Sequence, residues 1–191
     1  MTIIRDPSTG DGARVDATKR LETHSVVLTE TQEATELGDS YNINTGNIGL
    51  TSQTESGILY IKNNENRSLE IEAIAIGVDS AGTTGNDSLV TLVRNPTSVS
   101  FSTAVDMNQN RNFGSSKTLT ADVYKGAEGG TITGGNAIAQ FYMDAGSRLY
   151  ATIGFTLTKG DSLAIKIDTD TTAGTTNVYA ALVCHLKRVD V

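Results

Sequence analysis

The chain has 191 residues, 38% of them hydrophobic, with 19 glycines, 2 prolines and no tryptophan. A formal net charge of −7 and a pI of about 4.8 argue against a general binder of phosphate backbones, which needs a basic face, and against docking on an anionic membrane. The length suits one domain with an arm, and a thin core rich in Thr, Ser, Asn and Gly favours strands joined by turns.

Residues 1–20, MTIIRDPSTGDGARVDATKR, read as an N-terminal arm. Turn formers and charge outweigh the core candidates, so the segment is either solvated or ordered by lying on a neighbour. Arg5, Arg14 and Arg20 could pair there with acidic patches on a partner. No apolar signal region follows the first residue, and no stretch reaches the ~18 apolar residues of a membrane helix. Synthesis and folding in a cytoplasm are therefore expected. The domain is expected over residues 21–191.

LETHSVVL (21–28) suits a first strand, and TETQEATELGD (29–39) one helical turn that Gly38 stops. From residue 57 strands dominate. GILYIK (57–62) has apolar residues on both parities, as in a strand covered on both faces. LEIEAIAIGV (69–78) changes parity between Ile71 and Ile74, which demands a β-bulge or a passage into a doubly covered region. SLVTLVR (88–94) stops at Asn95-Pro96. SVSFSTAV (98–105) and KTLTADVY (117–124) alternate cleanly, and a glycine-rich irregular stretch covers 125–135. NAIAQFYM (136–143), LYATIGFTL (149–157), SLAIKID (162–168) and NVYAALVCHL (177–186) complete the set. Short strands without interleaved helices predict an all-β fold, an antiparallel sandwich. The spacing of the last strands favours a jelly roll over other sandwiches.

The sequence shows no catalytic constellation. His24 and His185 lie near opposite ends of the chain and could meet only if the terminal strands pair. Cys184 shares parity with Val178 and Leu182, away from His185, and reads as a small buried hydrophobe. As the sole cysteine it forms no internal disulfide. Asp79, Asn86 and Asp87 bracket one loop, and Asp168 and Asp170 open another. They offer hard oxygen ligands, but their spacing matches no EF-hand, and Asp and Asn are ordinary turn residues. The glycine runs lack the GK[ST] and the strand-to-helix context of a phosphate loop, and no serine sits in a GxSxG turn. Neither an enzyme, a metal nor a cofactor is expected.

NQNRNFGSS (108–116) admits two readings. As a structured connection, its Asn and Gly residues form consecutive turns whose amides satisfy one another, Phe113 anchors the loop into the sandwich edge, and Arg111 points outward or pairs with a carboxylate. As a contact loop, Arg111 and Phe113 are the anchors.

Two stretches, GDSYNINTGNIGLTSQTESGILYIKNNENRSLEI and RNPTSVSFSTAVDMNQNRNFGSSKTLTADVYKGAEGGTITGG, resemble a family of tailed-bacteriophage virion proteins. DGARVDATKRLET is similar to a leader that recurs in phage structural proteins. The resemblance covers most of residues 5–135 and thins afterwards, and it carries over no functional residues. It implies a capsid decoration or cement protein, or a tail- or fibre-associated one. By analogy with capsid jelly rolls it implies a homotrimer, touching major capsid or other virion proteins and assembled in the host bacterial cytoplasm. A receptor- or carbohydrate-binding module is the alternative, with Tyr41, Tyr142, Tyr150 and Tyr179 as stacking platforms.

Overall fold

The computed structural model describes residues 28–52, 54–79 and 87–188 in full, and the backbone alone of residues 14–15, 21–22 and 83–84. Arg5, Arg20, His24 and the side chain of Arg14 lie outside the described residues, as do Asn86 and most of the expected arm and first strand. Within that region Arg14–Val15 pairs antiparallel with Leu21–Glu22.

The short helix forms where expected. Helix α1 (Glu30–Glu36) is capped by Thr29, whose side chain accepts from the Gln32 amide while Gln32 reaches back to the Thr29 amide. Gly38, at φ 73°, ends it.

Among the described residues, twelve strands build the sandwich. They are β1 (Ser40–Asn44), β2 (Ile48–Leu50), β3 (Ser56–Asn63), β4 (Leu69–Val78), β5 (Ser88–Arg94) and β6 (Thr103–Ala104). The second half supplies β7 (Met107–Asn110), β8 (Ala121–Lys125), β9 (Asn136–Met143), β10 (Arg148–Leu157), β11 (Ser162–Asp168) and β12 (Thr176–Leu186). One sheet has the order β6-β8-β3-β11-β5-β9. The other runs β7-β1-β12-β4-β10, with β2 continuing the β1 edge along β12. All pairs are antiparallel. The pairing is nested: β1 with β12, β3 with β11, β4 with β10, β5 with β9. A long hairpin rolled into two sheets in this way is a jelly roll, as its sequence spacing favours.

The parity change in LEIEAIAIGV is a bulge at Glu72. On β12, Val183 pairs with Ala73 and Cys184 with Ile71, so Glu72 is the extra residue. Leu69 and Ile71 before it, and Ile74 and Ile76 after it, all reach the core. Strand β1 was hidden in the sequence. SYNIN carries two apolar residues between runs of Gly, Asn and Thr, yet Tyr41 and Ile43 alternate inward and are buried.

One expected strand is broken. SVSFSTAV is not continuous over 98–105 but two fragments, Ser98–Val99 paired with Ile132–Thr133 and β6 paired with β8. Its first part lies over the sheet, and only Thr103–Ala104 joins the sheet edge as β6. Phe101 and Ile132 cover Gly57 of β3, and the Gly57 amide donates to the Gly130 carbonyl at 2.6 Å. That cover accounts for the two-faced burial of β3.

The long excursion between β5 and β9 thus supplies β6, β7 and β8. They extend both sheets on the β1/β3 side, while among the described residues the β9/β10 side is bounded by those two strands.

Candidate functional site

The histidine and cysteine are kept apart. Cys184 faces the core, fully buried, and burial pushes its thiol up to about 12. His185 lies on the opposite face beside α1. Its Nδ1 is 2.7 Å from Glu72 Oε1, and Nε2 is 3.7 Å from Glu30 Oε1. Arg111 approaches the same carboxylate, with Nη1 3.9 Å from Glu72 Oε2. The group is a charged clasp beside the helix. Among the described residues, no group of three or more His, Cys, Asp or Glu is placed to hold a metal ion.

Pairing of Thr83–Thr84 with Thr171–Ala173 brings the two acid-bearing loops together. Asp79 accepts from the backbone and side-chain amides of Asn177. Burial raises the Asp168 carboxyl above its ordinary value, with Glu55 and Asp170 adding to the effect.

The loop after β7 corrects one expectation. Phe113 does not anchor in the sandwich edge; it is 99% exposed. The amides around it do the anchoring. Asn110 Nδ2 donates to the Gly38 carbonyl at 2.6 Å, and the Asn112 side chain donates to the Glu36 carbonyl at 2.8 Å. Asn112 Oδ1 accepts from the Gly114 amide, and the Ser115 amide donates to the Asn112 carbonyl. The backbone amide of Arg111 donates to Ser40. With both asparagines turned inward to the end of α1, the residue between Asn112 and Gly114 is left at the tip, facing water. Arg111 does find a carboxylate, Glu72, so that part of the structured-connection reading holds.

The second exposed surface is the β9/β10 side. Ile138 is 42% exposed, and Tyr142 and Tyr150 are each 71% exposed. Of the inward-facing positions of LYATIGFTL only Leu157 is buried. Leu149, Ile153 and Phe155 are half-buried, as are Ala139 and Phe141 on β9. The core therefore continues to the rim of the two sheets without being closed. These two edges carry one charged side chain, Arg148, and no proline over eight and ten residues. Natural sheet edges are usually short, charged or covered. Here the opposite edges obey that rule, being strands of two and four residues. At one end the side opens into a cavity of about 290 Å³ lined by Arg94, Ile138, Gly154, Phe155, Leu157 and Asp161. The sequence signal for this surface is two uncharged alternating strands joined by the turn DAGS.

Of the proposed stacking platforms, Tyr41 is buried, and Tyr179 is half-buried over Gly77. Tyr142 and Tyr150 stand in water.

No protein-family model matches the sequence, and no curated protein matches it. Among solved structures, the chain is similar to the Yersinia pseudotuberculosis-derived mitogen at 16% identity and TM-score 0.34, over 81% of this chain and 91% of that one. It is also similar to the protein of infectious bursal virus-derived T=1 particles at 10% identity and TM-score 0.20. There the alignment covers 80% of this chain and 44% of the viral one. At these scores neither likeness carries an argument about function.

Proposed function

We propose that this chain is a non-enzymatic structural component of a bacteriophage virion, a capsid decoration protein that stabilises the particle through contacts between subunits. The resemblance of residues 5–135 to phage virion proteins motivates the reading. The observation that carries it is the β9/β10 side, a long, nearly uncharged and half-open edge on a jelly roll whose opposite edges are strands of only two and four residues. Such an edge is costly for a free monomer, because unpaired strand groups invite pairing with other chains. It suits a subunit that spends its life in an assembly. The chain associates with copies of itself, as a trimer by analogy, and the N-terminal arm extends the contact onto capsid neighbours.

Electron microscopy of the parent particle, with and without this gene product, tests the assignment. A jelly-roll density on the outside of the head, lost in the deletion, is expected; an unchanged head would overturn it. Removing residues 1–20 should leave the β-domain folded, since the described core runs from Tyr41 to Leu186, and should abolish particle binding.

Exposure of Tyr142 and Tyr150 favours a second reading, a tail-associated carbohydrate-binding module. Binding on a glycan array that is lost in the Tyr142→Ala and Tyr150→Ala variants would favour it. A silent array with strong capsid binding would favour decoration.

A further inference from the structure

Phe113 and the β9/β10 cavity lie on opposite lateral edges of the same sheet, and the register connects them. Asn110 pairs with Tyr41, Tyr41 with Cys184, Cys184 with Ile71, and Ile71 with Phe155. Asn110 is the base of the Phe113 loop, and Phe155 lines the cavity. The projecting ring and the cavity thus stand near the ends of one rung, four inter-strand steps apart, or roughly 19 Å at the usual strand spacing.

We propose that Phe113 of one copy seats in the β9/β10 cavity of the next, joining subunits head to tail. The cavity offers Ile138, Phe155 and Leu157 to the ring. Gly154, at φ 61° where the β10 register shifts, has nothing within 4 Å of where a Cβ would stand, so the space beside it is open. The cavity, about 290 Å³ and open on one side, has room for a phenyl group against Ile138, Phe155 and Leu157, with Arg94 and Asp161 also in its lining. The loop is held by its asparagine hydrogen bonds before any contact forms, so little ordering entropy opposes docking. The two surfaces are also suited to each other in charge. Copies that each carry −7 repel; the ring brings no charge of its own and β9 and β10 carry only Arg148, while Arg94 and Asp161 in the cavity lining are of opposite sign.

A surface that fits a different surface on an identical copy gives a heterologous contact, which closes into a ring or runs on as a filament. This inference shares with the functional reading only the premise that copies associate; it holds whether or not they do so on a virion.

Analytical ultracentrifugation of the full chain tests it, with Phe113→Ser and Ile138→Glu as variants. Both positions are exposed, so circular dichroism and melting should match the parent. The parent is expected to be an oligomer, and each variant to associate at least about thirtyfold more weakly, as for loss of a central aromatic anchor. The decisive sample is an equimolar mixture of the two variants. Each copy with Ile138→Glu keeps its ring, and each with Phe113→Ser keeps its cavity, so one intact contact remains and an open dimer should form. A monomeric parent, or variants that assemble like the parent, would overturn the proposal. A mixture that stays monomeric would do the same. Capsid decoration, measured separately, judges the functional reading on its own.

Discussion

Arg67 joins Asp39 across the end of the sandwich, its Nη1 2.7 Å from Asp39 Oδ2, while its Nε and Nη2 donate to the carbonyls of Lys187 and Leu186. One guanidinium so binds the turn before β4, the entry to β1 and the exit from β12. Lys117 takes the other Asp39 oxygen at 2.9 Å, which ties the Phe113 loop to the same point. Arg67 is suited to this because its planar fork serves three acceptors at once.

This junction should make the fold acid-sensitive. Burial alone would raise the Asp39 carboxyl, but hydrogen bonds from Lys117 and Arg67 outweigh it, and the group is held below its ordinary value of 3.8. A carboxyl depressed in the folded state contributes stability that is fully present above its unfolded value and is lost as pH falls through the folded one. Chemical denaturation at successive pH values should show that loss beginning near pH 4 and deepening below it. Asp39→Asn should flatten this part of the profile and cost about 2 kcal/mol at pH 7, since it leaves Arg67 short of its charge partner. An unchanged acid limb in the variant would remove Asp39 from the account.

Gly126 should tolerate no side chain. A Cβ there would stand 1.7 Å from the Gly57 carbonyl oxygen, a backbone atom in β3 that cannot turn aside. Gly126→Ala should therefore destabilise by about 3 kcal/mol, the upper range for overpacking, and lower the melting temperature accordingly. Gly129→Ala gives the contrast. Its Cβ would meet nothing within 4 Å, although its φ of 71° adds modest strain. Equal effects at the two positions would show that close backbone approach is not the cause.

The same two glycines show why the sequence disclosed the strands better than their surroundings. The short apolar run of GILYIK and the alternation in SLAIKID and NVYAALVCHL predict strands because each side chain's face is fixed by its neighbours. The bulge in LEIEAIAIGV was visible as a broken parity, and only its position, at Glu72, needed the partner strand. KGAEGGTITGG gave no such signal. Its glycines answer to a strand about 70 residues away, and pairings at that separation leave no local pattern. Phe113 failed for a related reason. An aromatic in a polar loop normally turns inward, but Asn110 and Asn112 occupy the inward positions with hydrogen bonds to α1 and Gly38. Likewise LYATIGFTL has the alternation of a buried strand and lies at an edge, because alternation reports which face is inward and not whether that face is covered.

Cys184 offers a probe of the core that does not depend on any functional reading. Its side chain is enclosed between the sheets, and Sγ lies 3.9 Å from the Tyr41 carbonyl. Burial in the apolar interior disfavours the thiolate, and the charge of Glu72 adds to the effect, so the thiol is pushed up to about 12. The neighbouring imidazole of His185 cannot activate it, because adjacent strand residues face opposite sides and that ring is turned to Glu72. At pH 8 the native protein should react with a thiol reagent at least about a thousandfold more slowly than the denatured chain, the lower bound set by the equilibrium of a stable domain. The core-cavity variant Ile165→Ala should shorten that protection along with its loss of stability, about 2–5 kcal/mol, since labelling then reports opening of the sandwich. Rapid labelling of the native parent would place Cys184 at a surface and refute the packing of the two sheets over it.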